Sequence, residues 1–251
     1  MNSIMRDKIK SVVFRIIGIA IIVIVWEIGA IIVNESYVLP HVGETLLAAK
    51  DLFLTADFYL SIFYTLLRVI LGLAIGIVLG LALGTAIYRF DFVAKATEPF
   101  LSIIKSTPIA SIIILLWFIL RGTALAVVVT VLMILPIITE SVVAGYKNQS
   151  KDLLEVAKIF KFPFIKRLQT IIIPSLFTNL IPSIITCVGL AWKAEVAAEI
   201  IGKVSNSIGS GINDANSQFT TRVVFAWTLI VIGLSIILEK ITKSILMRWK
   251  K

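Results

Sequence analysis

The chain has 251 residues, 59% of them hydrophobic and only 16% charged, with a mean hydropathy of +1.01 and a net charge of +9. Soluble domains run at about 45–50% apolar and about 25% charged, so a water-soluble globule is excluded, as are disordered, collagen-like and coiled-coil chains. One cysteine, Cys187, and one histidine, His41, exclude an internal disulfide, a cysteine-based metal cluster and a histidine-rich site.

Six apolar stretches are long enough to cross a bilayer at roughly 20 residues each. The first, 12–33, has a basic lead-in but no small-residue cleavage site, and it outlasts the apolar region of a signal peptide. After it, 43–53 carries helical apolar spacing and is expected to lie along the outer surface. The second span, 59–88, is long enough to tilt. The third, 101–120, is separated from the fourth, 123–144, only by Arg121-Gly122. A basic stretch, 147–170, comes next with the spacing of two short amphipathic helices broken around Lys161-Phe162-Pro163, Pro163 suiting the first turn of the second helix. The fifth span is 171–201 and the sixth 224–241. Between them the Gly, Ser and Asn-rich stretch 202–222 reads as an external loop or re-entrant cap.

Seventeen of the 24 basic residues fall in four clusters: Arg6 to Arg15, Arg89 and Lys95, Lys147 to Arg167, and Lys240 to Lys251. Basic flanks are retained on the cytoplasmic side during insertion. With both termini inside, six crossings bring all four clusters to that side. The basicity therefore reports topology and not nucleic acid.

Within the second span Gly72, Gly76, Gly80 and Gly84 recur every fourth residue. Such a line lets two helix backbones approach closely in lipid. Arg68 is one step earlier in the series, so it faces protein or a water-filled cavity, because a guanidinium against lipid costs several kcal/mol. In the third span Lys105 precedes Pro108, whose ring is expected to kink a pore-lining helix. In the fifth, Glu195, Glu199 and Lys203 are spaced to form one polar stripe, with Lys203 the local cation for the two carboxylates and Lys193 pointing elsewhere. Charges inside a membrane are functional candidates; the alternative is that they snorkel into the headgroups. The sequence holds no nucleophile elbow, no phosphate-binding Gly-Lys-Ser/Thr loop and no paired histidine ligands, so no enzymatic constellation and no nucleotide hydrolysis is read in it.

Leu154-Glu155-Val156-Ala157, with Lys161 and then Ile171-Ile172-Ile173-Pro174, resembles the signature loop of ABC importer permeases. Glu155, Ala157, Ile171 and Pro174 match that pattern, Val156 departs mildly, and Lys161 replaces its glycine. A non-glycine residue at positive φ there costs about 1 kcal/mol. Trp26-Glu27, Leu39-Pro40, the glycine-bearing second span, KSTPIAS and AWKAEVAAEIIG resemble the nitrate, sulfonate and taurine branch. The resemblance implies an all-α, six-span, type I importer permease fold over the whole chain, 1–251, in a prokaryotic cell membrane. It implies a second permease copy, separate ATPase subunits that carry ATP and Mg, and an external solute-binding protein, with no cofactor on this chain. It makes Glu155 the contact to the ATPase, and places Arg68, Lys105, Pro108, Lys193, Glu195, Glu199 and Lys203 along or at the mouths of the path. The solute it implies is a small organic or inorganic anion. A secondary transporter is the alternative; it calls for discontinuous helices and ion ligands at mid-bilayer, usually with internal repeats, and the halves show no convincing repeat.

Overall fold

A computed structural model describes residues 3–248; Lys250 and Lys251 of the last basic cluster lie outside them. In chain order the helices are α1 (Ser3–Val33), α2 (Val42–Leu52), α3 (Ala56–Arg89), α4 (Asp91–Ser106), α5 (Ile109–Trp117) and α6 (Gly122–Lys147). Beyond α6 come α7 (Lys151–Ile159), α8 (Phe164–Arg167), a π-helical turn (Leu168–Ile172), α9 (Ile173–Ile201), α10 (Ile208–Ser217) and α11 (Thr221–Arg248). Helical stretches long and apolar enough to cross a membrane are Val12–Val33, Ala56–Arg89, Gly122–Lys147, Phe164–Ile201 and Thr221–Arg248. Five of the six expected spans lie within them.

The third span departs from expectation. It is not one helix over 101–120: α4 starts at Asp91, and a bend of 105° separates it from α5. Thr107 is extended (φ −82°, ψ 130°), the conformation imposed on the residue before a proline, and Pro108 becomes the N-cap of α5. The proline breaks the helix where a kink was expected. Two smaller corrections obey the same logic. Pro163 is the N-cap of α8 and not in its first turn. The stretch 202–222, expected as a loop or cap, contains the ten-residue helix α10.

The chain divides into two compact units. The first comprises Met1–Tyr59 and Gly211–Val231. Here α1 is tied to the start of α2 by the two short motifs noted in the sequence. Trp26 Nε1 donates to the Pro40 carbonyl (3.0 Å), and Glu27 accepts from the Val42 amide (3.0 Å) while its other oxygen meets His41 Nδ1 at 2.8 Å. A carboxylate at an exposed helix N-terminus satisfies an otherwise unpaired amide and complements the helix dipole.

The second unit comprises Leu60–Ser210 and Ile232–Lys251. Its centre is α6: 61% of the apolar window of that helix is buried, against 6% in α1. Ile113, Leu125, Ala126, Val129, Ala194, Ala198 and Val204 form a core shared by α5, α6, α9 and the chain just past α9. The glycine series of α3 lies against α6 as expected. A Cβ placed on Gly72 or Gly80 would come within 2.6 Å of Thr130 or Ile138, and Gly76 and Gly84 are blocked in the same way by Ile134 and Val142. In lipid there is no hydrophobic drive between helices, so this closeness is itself the source of the attraction.

The register also settles direction. Gly72 to Gly84 matches Thr130 to Val142 in ascending order, so α3 and α6 run parallel. The chain must therefore return along their length between Arg89 and Gly122, and α4 with α5 is the segment that does so. The bent pair is the sixth candidate crossing, broken at Thr107-Pro108.

Replacing Gly80 by Leu forces a branched side chain onto Ile138 and must separate the two helices, at a cost on the order of 1–3 kcal/mol or more. Gly80→Leu should lower the thermal stability and yield of the solubilised protein, whereas Gly233→Leu, where a Cβ meets no described atom within 4 Å, should leave both unchanged. Equal behaviour of the two variants would refute the seam.

Candidate functional site

The face of α3 that carries the glycines continues toward its N-terminus as Arg68, Thr65 and Ser61, all buried. Arg68 does not face open water. Its Nη1 donates to Glu199 of α9 at 3.0 Å and to the Asn206 carbonyl at 3.2 Å, its Nε to Thr123 at 3.1 Å, and its Nη2 to the Ser205 carbonyl at 3.3 Å. Glu199, fully buried, also accepts from Thr65 (2.9 Å) and from the Gly209 amide (3.3 Å). Thr65 accepts in turn from the Ile208 amide at 3.1 Å. A buried charge is tolerable when it is paired and its other hydrogen-bonding positions are filled, as they are here. The pair thus holds the chain from Ser205 to Gly209 against α3 and α9. Gly209 is required for this approach, because a Cβ would collide with that of Glu199.

Glu195 lies one turn earlier and is also fully buried. One oxygen accepts from Thr130 of α6 at 2.7 Å, and Oε1 has no hydrogen-bond partner among the described residues. The expected polar stripe is corrected here. Lys203 does not continue it, because α9 ends at Ile201 and Lys203 is exposed at φ 49°. The cation for Glu199 is Arg68, 131 residues away in sequence. Lys193 is exposed on the other side of α9, as its register implied.

Lys105 and Pro108 are exposed at the broken third span. Lys105 Nζ lies 2.5 Å from Glu140 of α6, a partner that sequence reasoning missed. The hydropathy of α6 concealed it, since one carboxylate in an apolar span is no signal of pairing.

The 147–170 loop forms the expected two short helices. Ser150 caps α7 by accepting from the Leu153 amide at 3.3 Å. At its other end Lys161, at φ 48°, occupies the left-handed position, with its amide on the Lys158 carbonyl (3.2 Å) and the Phe162 amide on that of Ala157 (2.9 Å). These two bonds define a Schellman motif whose left-handed residue is most often glycine. The lysine therefore preserves the turn that the glycine of the pattern would make. Glu155 and Val156 are exposed while Ala157 and Ile171 are buried, so the loop has an inner and an outer face. Leu153, Ile159, Phe160, Phe164 and Ile165 are half to three-quarters exposed on it.

Residues 72–251 match the sequence model of the family described as binding-protein-dependent transport system inner membrane component. Over 245 residues, 92% of this chain and 85% of the relative, the sequence is 25% identical to the "Putative aliphatic sulfonates transport permease protein SsuC" of Bacillus subtilis (strain 168). The fold is shared with the crystal structure of an amino acid ABC transporter with histidines, at a TM-score of 0.60 and 16% identity over 74% of this chain and 89% of that one.

Breaking the buried pair from one side leaves an unpaired charge and should cost about 3–5 kcal/mol. Glu199→Ala and Arg68→Leu should each lower the unfolding temperature of the detergent-solubilised protein steeply, and Arg68→Met/Glu199→Met should recover much of the loss. Single variants as stable as the parent would show that the pair holds nothing. In the loop, Lys161→Gly removes a left-handed lysine and should stabilise the α7–α8 turn by about 1 kcal/mol, read as slower amide exchange in α7. Faster exchange would contradict the turn assignment.

Proposed function

This chain belongs to the binding-protein-dependent transport system inner membrane component family and is the permease component of an ABC importer, with several membrane-spanning helices; we propose that the solute it passes is a small anion of the sulfonate, taurine or nitrate class. In this reading the whole chain, 1–251, acts as one permease domain in a prokaryotic cell membrane with both termini cytoplasmic. Two copies form the path, and an external solute-binding protein delivers to it. ATP and Mg reside on separate ATPase subunits.

The observation that carries the reading is the α7–α8 hairpin. Exposed contiguous apolar side chains mark a binding face. On this hairpin they are interleaved with Lys151, Lys158, Lys161, Lys166 and Arg167, which favours an aqueous protein groove over the acyl-chain region. Glu155 stands exposed beside them, positioned for a charge-assisted contact with a basic residue of the ATPase. Closure of the ATPase dimer on ATP then moves both hairpins together and turns the pore by rigid-body motion. Lys105, Pro108, Lys193 and Lys203 border the path, and Arg68, Glu195 and Glu199 hold its wall from within. The substrate class is supported by the sulfonate named for the Bacillus relative and by the exposed lysines at 105 and 193.

The importer reconstituted in proteoliposomes with its ATPase and binding protein should accumulate ethanesulfonate only when ATP is supplied. Glu155→Ala should assemble normally, lose most of that uptake, and lose the stimulation of ATP hydrolysis by loaded binding protein. Uptake driven by an ion gradient without ATP would favour the secondary transporter. Full uptake by Glu155→Ala would remove this residue from coupling.

A further inference from the structure

Between α4 and α6 lies a cavity of about 580 Å³, within the ~300–1,000 Å³ of ordinary ligand sites. Its charged lining is Lys95, Lys105 and Lys147 against Asp91, Glu98 and Glu140, so it is neutral as it stands. Lys95 pairs with Asp91 on its own helix at 2.8 Å, and Lys105 pairs with Glu140 across the cavity. Both partners of this second pair are about half exposed (48% and 58%), so it is weak and exchangeable.

One further group in the lining is out of the ordinary. Thr139, next to Glu140, is 1% exposed, and its hydroxyl has no hydrogen-bond partner among the described residues. A helical threonine ordinarily donates to the carbonyl one turn back. Thr97, Thr178, Thr186 and Thr228 all do so in this chain, at 2.7 to 3.2 Å. A buried hydroxyl without a partner is costly to keep, and a ligand supplies the missing acceptor. An ammonium held by a wet carboxylate thus lines a ligand-sized space, and Thr139, whose buried hydroxyl is unused, belongs to the same lining.

We propose that this cavity is the anion subsite of the permease, in which the sulfonate group of the solute displaces Glu140 from Lys105 and accepts a hydrogen bond from Thr139. The inference rests on the anion-importer reading above and deepens it. Glu140 is then the specificity-determining residue. It keeps the resting cavity neutral, repels anions that do not replace it fully, and reclaims Lys105 when the solute leaves.

The test is binding and uptake of radiolabelled ethanesulfonate by the assembled importer, in nanodiscs for binding and proteoliposomes for uptake. Glu140→Gln removes the competitor and gives the lining one net positive charge, so it should bind about tenfold more tightly and release more slowly, lowering KM and kcat together. Lys105→Gln and Lys105→Gln/Glu140→Gln should lose binding. Thr139→Val should weaken binding several-fold while leaving the unfolding temperature equal or higher, a combination that a merely structural threonine does not give. If the parent importer binds and moves ethanesulfonate but Glu140→Gln and Thr139→Val leave its affinity unchanged, the subsite is overturned and the importer reading stands. If the parent importer moves no sulfonate, the anion reading falls by itself, and the subsite with it.

Discussion

A helix buried in lipid gains nothing from hiding apolar surface, so its neighbours are fixed by how closely backbones meet and by which polar groups have no other partner. The single face of α3 from Ser61 to Gly84 meets both conditions. Four glycines bring it onto α6, and the same face then turns polar, presenting Arg68 and Thr65 to Glu199. Sliding α3 by one turn would still leave a glycine opposite Ile138, but it would bring Arg68 onto Thr130 or Tyr88 onto Val142 and strand a guanidinium and a carboxylate together. The glycines set the distance and the ion pair sets the register. Each is of limited value without the other.

That register also governs the chain beyond α9. Because Arg68 and Glu199 bind Ser205, Asn206 and Gly209, the backbone leaving α9 is held where α10 begins. The exit itself is a Schellman turn, with the Val204 amide on the Glu199 carbonyl and Lys203 in the left-handed position. The same device, again without glycine, closes α7 at Lys161 and α10 at Phe219. Gly202 sits just before the turn in ordinary right-handed backbone, and its small size is used against Leu125 instead.

These particulars explain why some features were legible in the sequence and others were not. Local signals survived: five of the six spans, written in unbroken apolar runs, and the glycine line and the two amphipathic pieces of the loop, written in residues three, four or seven apart. Arg68 could be placed on a protein-facing side for the same reason. Its partner could not be named, because pairing over 131 residues depends on how α3 and α9 dock. Lys203 was misplaced because periodicity does not announce where a helix stops, and a left-handed lysine carries no compositional mark. Pro108 was visible as a disruption, but whether a proline kinks or breaks a helix depends on the preceding residue leaving the helical region, as Thr107 does. Glu140 carried no local signal at all.

The cavity and the loop share α6. One end of this helix presents Thr130 to Glu195, its middle presents Thr139 and Glu140 to the α4 cavity, and its last residue, Lys147, lies four positions before α7 begins. Where the loop leaves α6 and rejoins α9, Gly145 and Ser175 are locked together. Ser175 donates to the Gly145 carbonyl at 2.6 Å, and no Cβ fits at Gly145 against Leu176. The hairpin is therefore closed at its base by two helices in direct backbone contact. This contact joins α6 to α9 at the point where α7 and α8 branch from them. Those two helices carry Glu140 on one side and the Glu195–Glu199 network on the other. In the proposed mechanism a pull at the hairpin would therefore act both on the Lys105–Glu140 pair and on the clamp that holds the start of α10.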